Sequence, residues 1–309
     1  RPFLFPCLDE SAKACDPGYP EDERFGPEEG VPIAMLTENI NGWRRLWRLL
    51  EGGLAPRDEP CFWCGGRKKR GTDGGRRVNR YPAAVFDYLC EACLAGVPWI
   101  DRAVCVLCGR GEDCPDCARR EVSYIKANRS SVRYTPLMKE WLARYKYRGS
   151  EKLEPLFAAM AGFAYERLRE VWESDERAAG KGETWTVMTF VPLSRRRLAE
   201  RGFNQAERLA QGIGRRYRVP VLPLLDRVRH TEKQSYKTRR ERLLSLEDAF
   251  ALREREAAEL LRRAGKRRMR IVVADDVYTT GSTMQQCGRV LVTALGAGNV
   301  SVYSLTWAR

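Results

Sequence analysis

An apolar run, an acidic pair and a loop rich in hydroxyl groups follow one another in the segment IVVADDVYTTGST, Ile271 to Thr283. The first four residues form the unbroken apolar stretch that is typical of a central parallel strand buried on both faces. Beyond the loop, apolar residues recur at helical spacing: Met284, Cys287, Leu291 and Leu295. The order of strand, polar loop and helix predicts an α/β fold, with a mainly parallel central sheet and flanking helices.

The loop offers an anion its hydroxyl groups and closely spaced backbone N–H groups: Thr279, Thr280, Gly281, Ser282 and Thr283. The helix that follows adds its first amides and its positive dipole end, so we expect a phosphate group to bind here. Asp275 and Asp276 precede the loop, and two carboxylates suit vicinal ribose hydroxyls or a divalent cation. The alternative is an ordinary strand–helix turn. An ATPase P-loop fits poorly because its lysine signature is missing.

Four C-x-x-C pairs account for eight of the eleven cysteines: Cys61/Cys64, Cys90/Cys93, Cys105/Cys108 and Cys114/Cys117. Two such pairs supply the four thiolates of a tetrahedral structural zinc site, so we predict two Zn²⁺ ions with no open position for catalysis. Pairing in chain order and an interleaved pairing are both possible. A thioredoxin-like redox pair is the alternative, but it would need a single pair beside a βαβ pattern.

Charge and hydropathy indicate the class of protein. The formal net charge is +14, although the first 34 residues are acidic, and such a basic chain suggests a polyanionic partner such as nucleic acid. No stretch approaches the ~20 apolar residues of a membrane span, and we expect a cytosolic protein. Residues 1–34 are rich in Pro and Gly and lack any helical or strand period. We expect them to be disordered or a non-native extension, with Met35 as the natural start.

Helical and apolar patterns alternate through the middle of the chain. Helical spacing is found in Leu137–Tyr145, Leu153–Leu168 and Ala206–Ile213, and apolar runs predict strands at Val187–Val191 and Val219–Leu225. This alternation also favours a mainly parallel sheet with crossover helices. Pro192, Leu193 and Ser194 follow the first of these strands and precede a run of arginines, which predicts a second anion site.

The segment from Arg227 to Leu243, RVRHTEKQSYKTRRERL, has few apolar residues and many cations. Such a composition favours a mobile flap that closes over an anionic ligand, with a solvated basic helix as the alternative. The only histidine of the chain, His230, lies in this segment. It has no carboxylate partner visible in the sequence, so we assign it no catalytic role.

The order of motifs resembles one family. C-x-x-C pairs, YKYRG, VPLS, RGFNQ, EKQS, ER and DDVYTTGST follow one another from about Leu49 to Arg309, as in the ComF/ComFC family of competence proteins. The last motif is also similar to the 5-phosphoribosyl-1-pyrophosphate (PRPP) loop of type I phosphoribosyltransferases. The resemblance implies an N-terminal helix and double zinc ribbon in residues 35–120 and a type I phosphoribosyltransferase-like domain in residues 121–309.

The resemblance also implies roles for particular residues. Asp275 and Asp276 would hold the ribose hydroxyls of PRPP, and Thr279 to Thr283 its 5′-phosphate, with Mg²⁺ bound alongside. The pyrophosphate loop and its supports would be Pro192, Leu193, Ser194, Arg201, Lys233 and Lys237. Purine-salvage members carry an aspartate where this chain has Thr279, which argues against a hypoxanthine-type enzyme. Neither a catalytic residue nor an acceptor is identified.

Three functions are compatible with this sequence. The first, which the resemblance and the basic charge favour, is a DNA-uptake factor of natural transformation. It would bind PRPP and single-stranded DNA at the cytoplasmic face of the membrane, beside a DNA-uptake helicase. The second is a PRPP-dependent transferase of nucleotide metabolism, and the third is a noncatalytic adaptor that senses PRPP.

Overall fold

The structure, a computed structural model, describes residues 60–68, 83–146, 151–179, 184–228 and 249–309. All of them lie in one compact unit, Asp58–Arg309. The predictions for residues 1–34, for Met35 as the natural start, and for His230, Lys233 and Lys237 of the flap lie outside the described residues. The domain boundaries remain a prediction.

Six strands lie within the described ranges: β1 Asn128–Val132, β2 Thr184–Phe190, β3 Leu225–Arg227, β4 Phe250–Leu252, β5 Arg268–Val277 and β6 Val300–Ala308. The same ranges contain eight α-helices: α1 Glu91–Ala95, α2 Pro115–Ala118, α3 Pro136–Lys146, α4 Glu154–Ala179, α5 Arg195–Arg201, α6 Gln205–Tyr217, α7 Glu254–Ala264 and α8 Ser282–Leu295. Two short 3₁₀ helices, Ala83–Asp87 and Glu151–Leu153, complete the described elements.

Four strands form a parallel sheet in the order β1-β6-β5-β2. Its central strand β5 is buried on both faces, as its apolar run predicts. Val272 and Ala274 pack with α4 and α6 on one face, whereas Ile271 and Val273 pack with α7 and α8 on the other. The predicted mixed α/β fold, with a parallel sheet between helices, is thus confirmed.

The remaining two strands, β3 and β4, pair antiparallel and flank the segment predicted to be a flap. The strand predicted at Val219–Leu225 is wrong for most of its length. Within it, β pairing is limited to the isolated bridge between Val221 and Met188 and to Leu225, the first residue of β3. Proline has no N–H to donate to a ladder, so Pro220 and Pro223 prevent continuous pairing there. None of the helices in the described ranges is both long and apolar enough to span a bilayer.

Candidate functional site

The acidic pair, Asp275 and Asp276, and the hydroxyl loop, Thr279–Thr283, lie at the carboxyl edge of the parallel sheet. Strand β5 extends through the acidic pair as far as Val277, because Asp275 still pairs with Thr306 of β6. Helix α8 then begins at Ser282. The first amides of a helix have no partner within the helix, so α8 directs N–H groups toward the loop. The carboxyl edge of a parallel sheet is where open α/β folds bind their ligands.

The hydroxyl loop takes its shape from Gly281, whose φ of 78° is left-handed. A Cβ atom at Gly281 would overlap the hydroxyl group of Tyr278, so only glycine fits between this buried ring and the helix start. On the other side of the turn, the hydroxyl oxygens of Thr280 and Ser282 are hydrogen-bonded at 2.8 Å. The loop thus presents hydroxyl groups and backbone amides on one short turn.

Two cations flank the acidic pair. Lys146, the last residue of α3, places its Nζ 2.7 Å from Oδ2 of Asp276. The N–H of Asp276 donates to Oδ1 of Asp275 at 2.8 Å. Burial, and then the charge of Asp276, raise the pKa of Asp275 to about 7, while Lys146 and Arg227 oppose that rise. One carboxyl of the pair therefore titrates near neutrality, which suits a site that exchanges a proton for a cation or hydroxyl ligand.

Lys146 and Arg227 are functional candidates that the sequence alone does not identify. Lys146 belongs to the YKYRG motif, so a signal exists, but nothing local connects that motif to residue 276. Arg227 ends β3 and carries no distinguishing pattern. Both reach the acidic pair only through the tertiary fold.

The proposed pyrophosphate loop starts beside the acidic pair. The N–H of Val191 donates to the carbonyl of Ala274 at 3.0 Å, so Pro192 and Leu193 follow directly from a strand paired with β5. Ser194 is buried and caps α5 by accepting from the N–H of Arg197. Arg201, at the other end of α5, donates to Gln205 Oε1 at 2.8 Å. The adjacent pairing of β2 and β5 brings the two predicted anion loops to one edge.

The cysteines group in chain order into a first cluster, Cys61, Cys64, Cys90 and Cys93, and a second cluster, Cys105, Cys108, Cys114 and Cys117. Within each cluster all four sulfur atoms lie within 4.8 Å of one another, and Cys64 and Cys90 are 3.7 Å apart. Tetrahedral Zn–S bonds of about 2.3 Å place sulfur atoms about 3.8 Å apart. The four sulfur donors and their spacing thus fit zinc. Of the two pairings that the sequence allows, the structure shows the one in which consecutive C-x-x-C pairs share a cluster.

The thiols within each cluster differ in pKa. Burial alone raises the pKa of Cys61, but hydrogen bonds from three backbone N–H groups outweigh it and lower the pKa to about 6. Burial raises the pKa of Cys93 in the same cluster, and in the second cluster it raises the pKa of Cys117 to about 11. Four close thiols cannot all ionise without a compensating cation, which is the role a structural Zn²⁺ performs.

Both clusters pack against elements of the candidate site. Trp63 lies between Cys61 and Cys64 of the first cluster, and its ring stacks on that of Trp141 in α3 with centroids 4.2 Å apart. Arg144 of the same helix lies over the Trp63 ring at 4.4 Å, two residues before Lys146, which pairs with Asp276. The second cluster borders the hydroxyl loop, beside an open cleft of about 460 Å³ that Thr279, Thr280 and Arg110 help to line.

These residues define an α/β protein in which a parallel sheet is combined with two four-cysteine clusters of the structural metal type. The chain belongs to the ComFC family of competence proteins. It is 31% identical over 226 residues to the competence protein ComFC of Bacillus subtilis, covering 70% of this chain and 83% of that protein. It is 30% identical over 207 residues to ComFC of Streptococcus pneumoniae, covering 63% of this chain and 80% of that protein.

A third relative is the competence protein F of Haemophilus influenzae, which is 26% identical over 224 residues. That match covers 71% of this chain and 90% of the relative. No protein-family model matches the chain. Family membership therefore rests on these similarities, which cover most of this chain and of each relative.

Proposed function

We propose that this protein acts in DNA uptake, as the names of its relatives suggest, and that it binds PRPP with Mg²⁺ and also single-stranded DNA. It would work at the cytoplasmic face of the membrane, alongside a DNA-uptake helicase. Asp275 and Asp276 would hold the ribose hydroxyls, and Thr279 to Thr283 the 5′-phosphate. Two structural Zn²⁺ ions would occupy the cysteine clusters.

One observation carries the PRPP part of this proposal: two loops suited to anions lie side by side at the carboxyl edge of β2 and β5. PRPP carries a phosphate at one end and a pyrophosphate at the other, so it needs two anion loops separated by one sugar. The hydroxyl loop and the segment Pro192–Ser194 supply such a pair, and the acidic pair lies on β5, which leads into the hydroxyl loop and pairs with β2.

The acidic pair also fits Mg²⁺, a hard cation that prefers carboxylate oxygens and phosphate ligands. Bound there, Mg²⁺ would neutralise the pyrophosphate as that group leaves the sugar. The Nζ of Lys146 is paired with one carboxylate oxygen of Asp276, so Mg²⁺ binding there would displace Lys146 or turn it toward the pyrophosphate. The zinc ions would have no part in the chemistry, since a closed four-thiolate site has no open position.

Calorimetry with PRPP and Mg²⁺ tests the binding site. We expect micromolar affinity for the wild type and at least about a 100-fold loss in the double variant Asp275→Asn/Asp276→Asn, equivalent to about 2.7 kcal/mol. The control is Glu170→Gln/Glu259→Gln, which removes two carboxylates of helix-surface ion pairs. Equal affinity in all three proteins would place PRPP elsewhere, and no binding to zinc-loaded wild type would refute the PRPP proposal.

A transferase is the second candidate, because the cleft beside Thr279 and Thr280 leaves room for an acceptor next to the sugar. Pyrophosphate released from PRPP in the presence of a nucleobase or amine would establish this activity. PRPP-dependent binding of a protein partner without turnover would instead favour the sensing adaptor.

A further inference from the structure

The side chain of Arg309 links the second cluster to Tyr278, the residue that precedes the hydroxyl loop. Its Nη1 donates to the carbonyl of Cys108 at 3.0 Å, and its Nη2 lies 3.9 Å from the sulfur of Cys114. The guanidinium also lies over the ring of Tyr278, 4.6 Å from the centroid. Arg309 therefore contacts two zinc-ligand residues and the aromatic residue that shapes the Gly281 turn.

The backbone of Arg309 is held in place independently of this side chain. Its N–H donates to the carbonyl of Val132 at 2.9 Å, and its own carbonyl accepts from the N–H of Tyr134 at 2.6 Å. The N–H of Tyr278 donates to the carbonyl of Ala308, one residue before Arg309, at 2.9 Å. The guanidinium thus projects from a fixed point between the sheet edge and the loop.

A second set of contacts also connects the second cluster with the hydroxyl loop. Arg120, three residues after the last cysteine of the second cluster, donates its Nη2 to the carbonyl of Thr280 at 2.9 Å. Gln285 of α8 accepts from the N–H of Tyr124 at 2.8 Å and donates to Ser123 at 3.0 Å. The segment that leaves the second cluster is therefore hydrogen-bonded to both the hydroxyl loop and the helix that follows it.

The charge of the metal-bound second cluster explains how metal binding would affect Arg309. Four thiolates around Zn²⁺ carry a net charge of about −2, which a nearby guanidinium stabilises. With the metal bound, the cluster fixes the positions of Cys108 and Cys114 and so holds Arg309 against Tyr278. Without the metal, the thiols lose both their charge balance and their fixed spacing, and the two contacts of the guanidinium are no longer held in place.

We infer that Arg309 is a positioning residue that couples metal occupancy of the second cluster to the conformation of the hydroxyl loop. Metal in that cluster orders the loop for a phosphate group, and metal loss loosens it. The first cluster has a different contact, the Trp63–Trp141 stack on α3, so its metal would act on the acidic pair rather than on the loop. The part of this inference that concerns PRPP rests on the proposed function.

Linkage is reciprocal, so a metal that strengthens phosphate binding must itself be held more tightly when phosphate is bound. PRPP should then slow the chelator-driven loss of one of the two Zn²⁺ ions by at least about fivefold, the lower end of typical coupling. Alkylation of the exposed thiols, read by mass spectrometry, identifies the cluster that has lost its metal. We expect protection of the second cluster.

The decisive experiment compares Arg309→Met, Arg309→Lys and the control Arg169→Met with the wild type, all loaded with zinc. Arg169 pairs with Glu173 on the surface of α4, so its loss removes a guanidinium without touching the loop. Hydrogen exchange of the amides from Tyr278 to Thr283 needs no ligand. We expect exchange at least about fivefold faster in Arg309→Met, partial recovery in Arg309→Lys, and wild-type exchange in the control.

Each outcome separates this inference from the proposed function. Unchanged exchange in Arg309→Met overturns the coupling, even if PRPP binds every variant. Faster exchange in Arg309→Met, combined with no PRPP binding to any form, supports the coupling and refutes the PRPP part of the proposed function. Faster exchange together with weaker PRPP binding and lost PRPP protection of the second cluster supports both.

Discussion

The surroundings of Asp275 bear on the stability of the fold and on the proposed binding of PRPP. Asp275 lies half-buried beside the charge of Asp276, and its pKa is raised to about 7. The folded protein therefore keeps a proton on this carboxyl over a pH range in which an unfolded chain has lost it. The proposed binding of PRPP with Mg²⁺ favours the ionised form, because a carboxylate accepts hydrogen bonds at both oxygens and coordinates Mg²⁺ far better than a neutral carboxyl.

PRPP affinity should accordingly increase as the pH rises from about 6 to about 8, with a midpoint near the raised pKa of Asp275. Lys146 lowers that pKa, so Lys146→Met should move the midpoint to higher pH. Calorimetry across this range, on both proteins in the same buffers, cancels the titration of PRPP itself. A midpoint that stays in place in Lys146→Met would contradict this account of the site.

The same pKa shift predicts that ionised Asp275 lowers the free energy of unfolding. A group whose folded pKa is raised contributes stability below its unfolded pKa, and this contribution is lost as the pH rises through the folded value. Asp275→Asn mimics the protonated form at every pH, so it should raise the free energy of unfolding by about 1–3 kcal/mol at pH 8. The gain should shrink toward pH 5. Denaturant unfolding at constant zinc measures it, and a loss of stability at both pH values would show that the carboxylate is instead a structural acceptor.

At the scale of elements, the turn from Cys105 to Gly109, here called the second knuckle, lies close against strand β1. Gly109 has a φ of 71°, and its N–H donates to the carbonyl of Cys105 at 2.9 Å to close the turn. A Cβ atom there would overlap the backbone carbonyl of Asn128, the first residue of β1. The side chain of Asn128 in turn donates to the carbonyl of Cys108 at 3.0 Å. Knuckle and strand therefore hold one another in position.

Gly109→Ala should destabilise the protein by at least about 2 kcal/mol, since a left-handed φ and a clash with backbone act together. It should also speed zinc loss from the second cluster. The matched control is Gly298→Ala, because a Cβ atom at that position meets no atom within 4 Å. Thermal unfolding and chelator-driven zinc release report the two effects. Similar behaviour of the two alanine variants would mean that the knuckle can move away from β1.

Over the whole molecule, the formal net charge of +14 favours a polyanionic partner whose sequence does not matter. If about four phosphates are contacted, affinity for a single strand should fall about 50-fold between 50 and 200 mM salt. Fluorescence anisotropy with two strands of equal length and different sequence tests both points. Salt-independent binding, or a strong preference for one strand, would argue against the proposed DNA role.

The sequence predicted those parts of the fold whose signals are local. Strand β5, the hydroxyl loop and α8 follow from an apolar run and a helical period within one short segment. The pairing of the cysteines did not follow, because the spacing of C-x-x-C units permits more than one arrangement. The proximity of Lys146 and Arg227 to the acidic pair depends on contacts between elements that are distant in the chain.

Strand β1 shows why an element can escape sequence reasoning altogether. Its residues, NRSSV, are mostly polar, yet Asn128, Ser130 and Ser131 are buried. Hydrogen bonds make this possible: Ser130 pairs with Thr306 at 2.6 Å, and Ser131 donates to the carbonyl of Met160 at 2.8 Å. An edge strand that is satisfied by polar partners has no hydrophobic period from which it could be predicted.

The pairing of β1 with β6 also has a consequence for how the protein is made. Ser130 and Thr306 are neighbours in the sheet but 176 positions apart in the chain. At a ribosomal rate of roughly 5–20 residues per second, the cysteines of both clusters are synthesised on the order of ten to forty seconds before β6 is complete. During that interval neither β6, which pairs with β1, nor Arg309 is available to pack beside the thiols of the second cluster. We therefore expect the nascent chain to bind the proposed zinc, or to remain in reducing surroundings, before the sheet that covers the second cluster has formed.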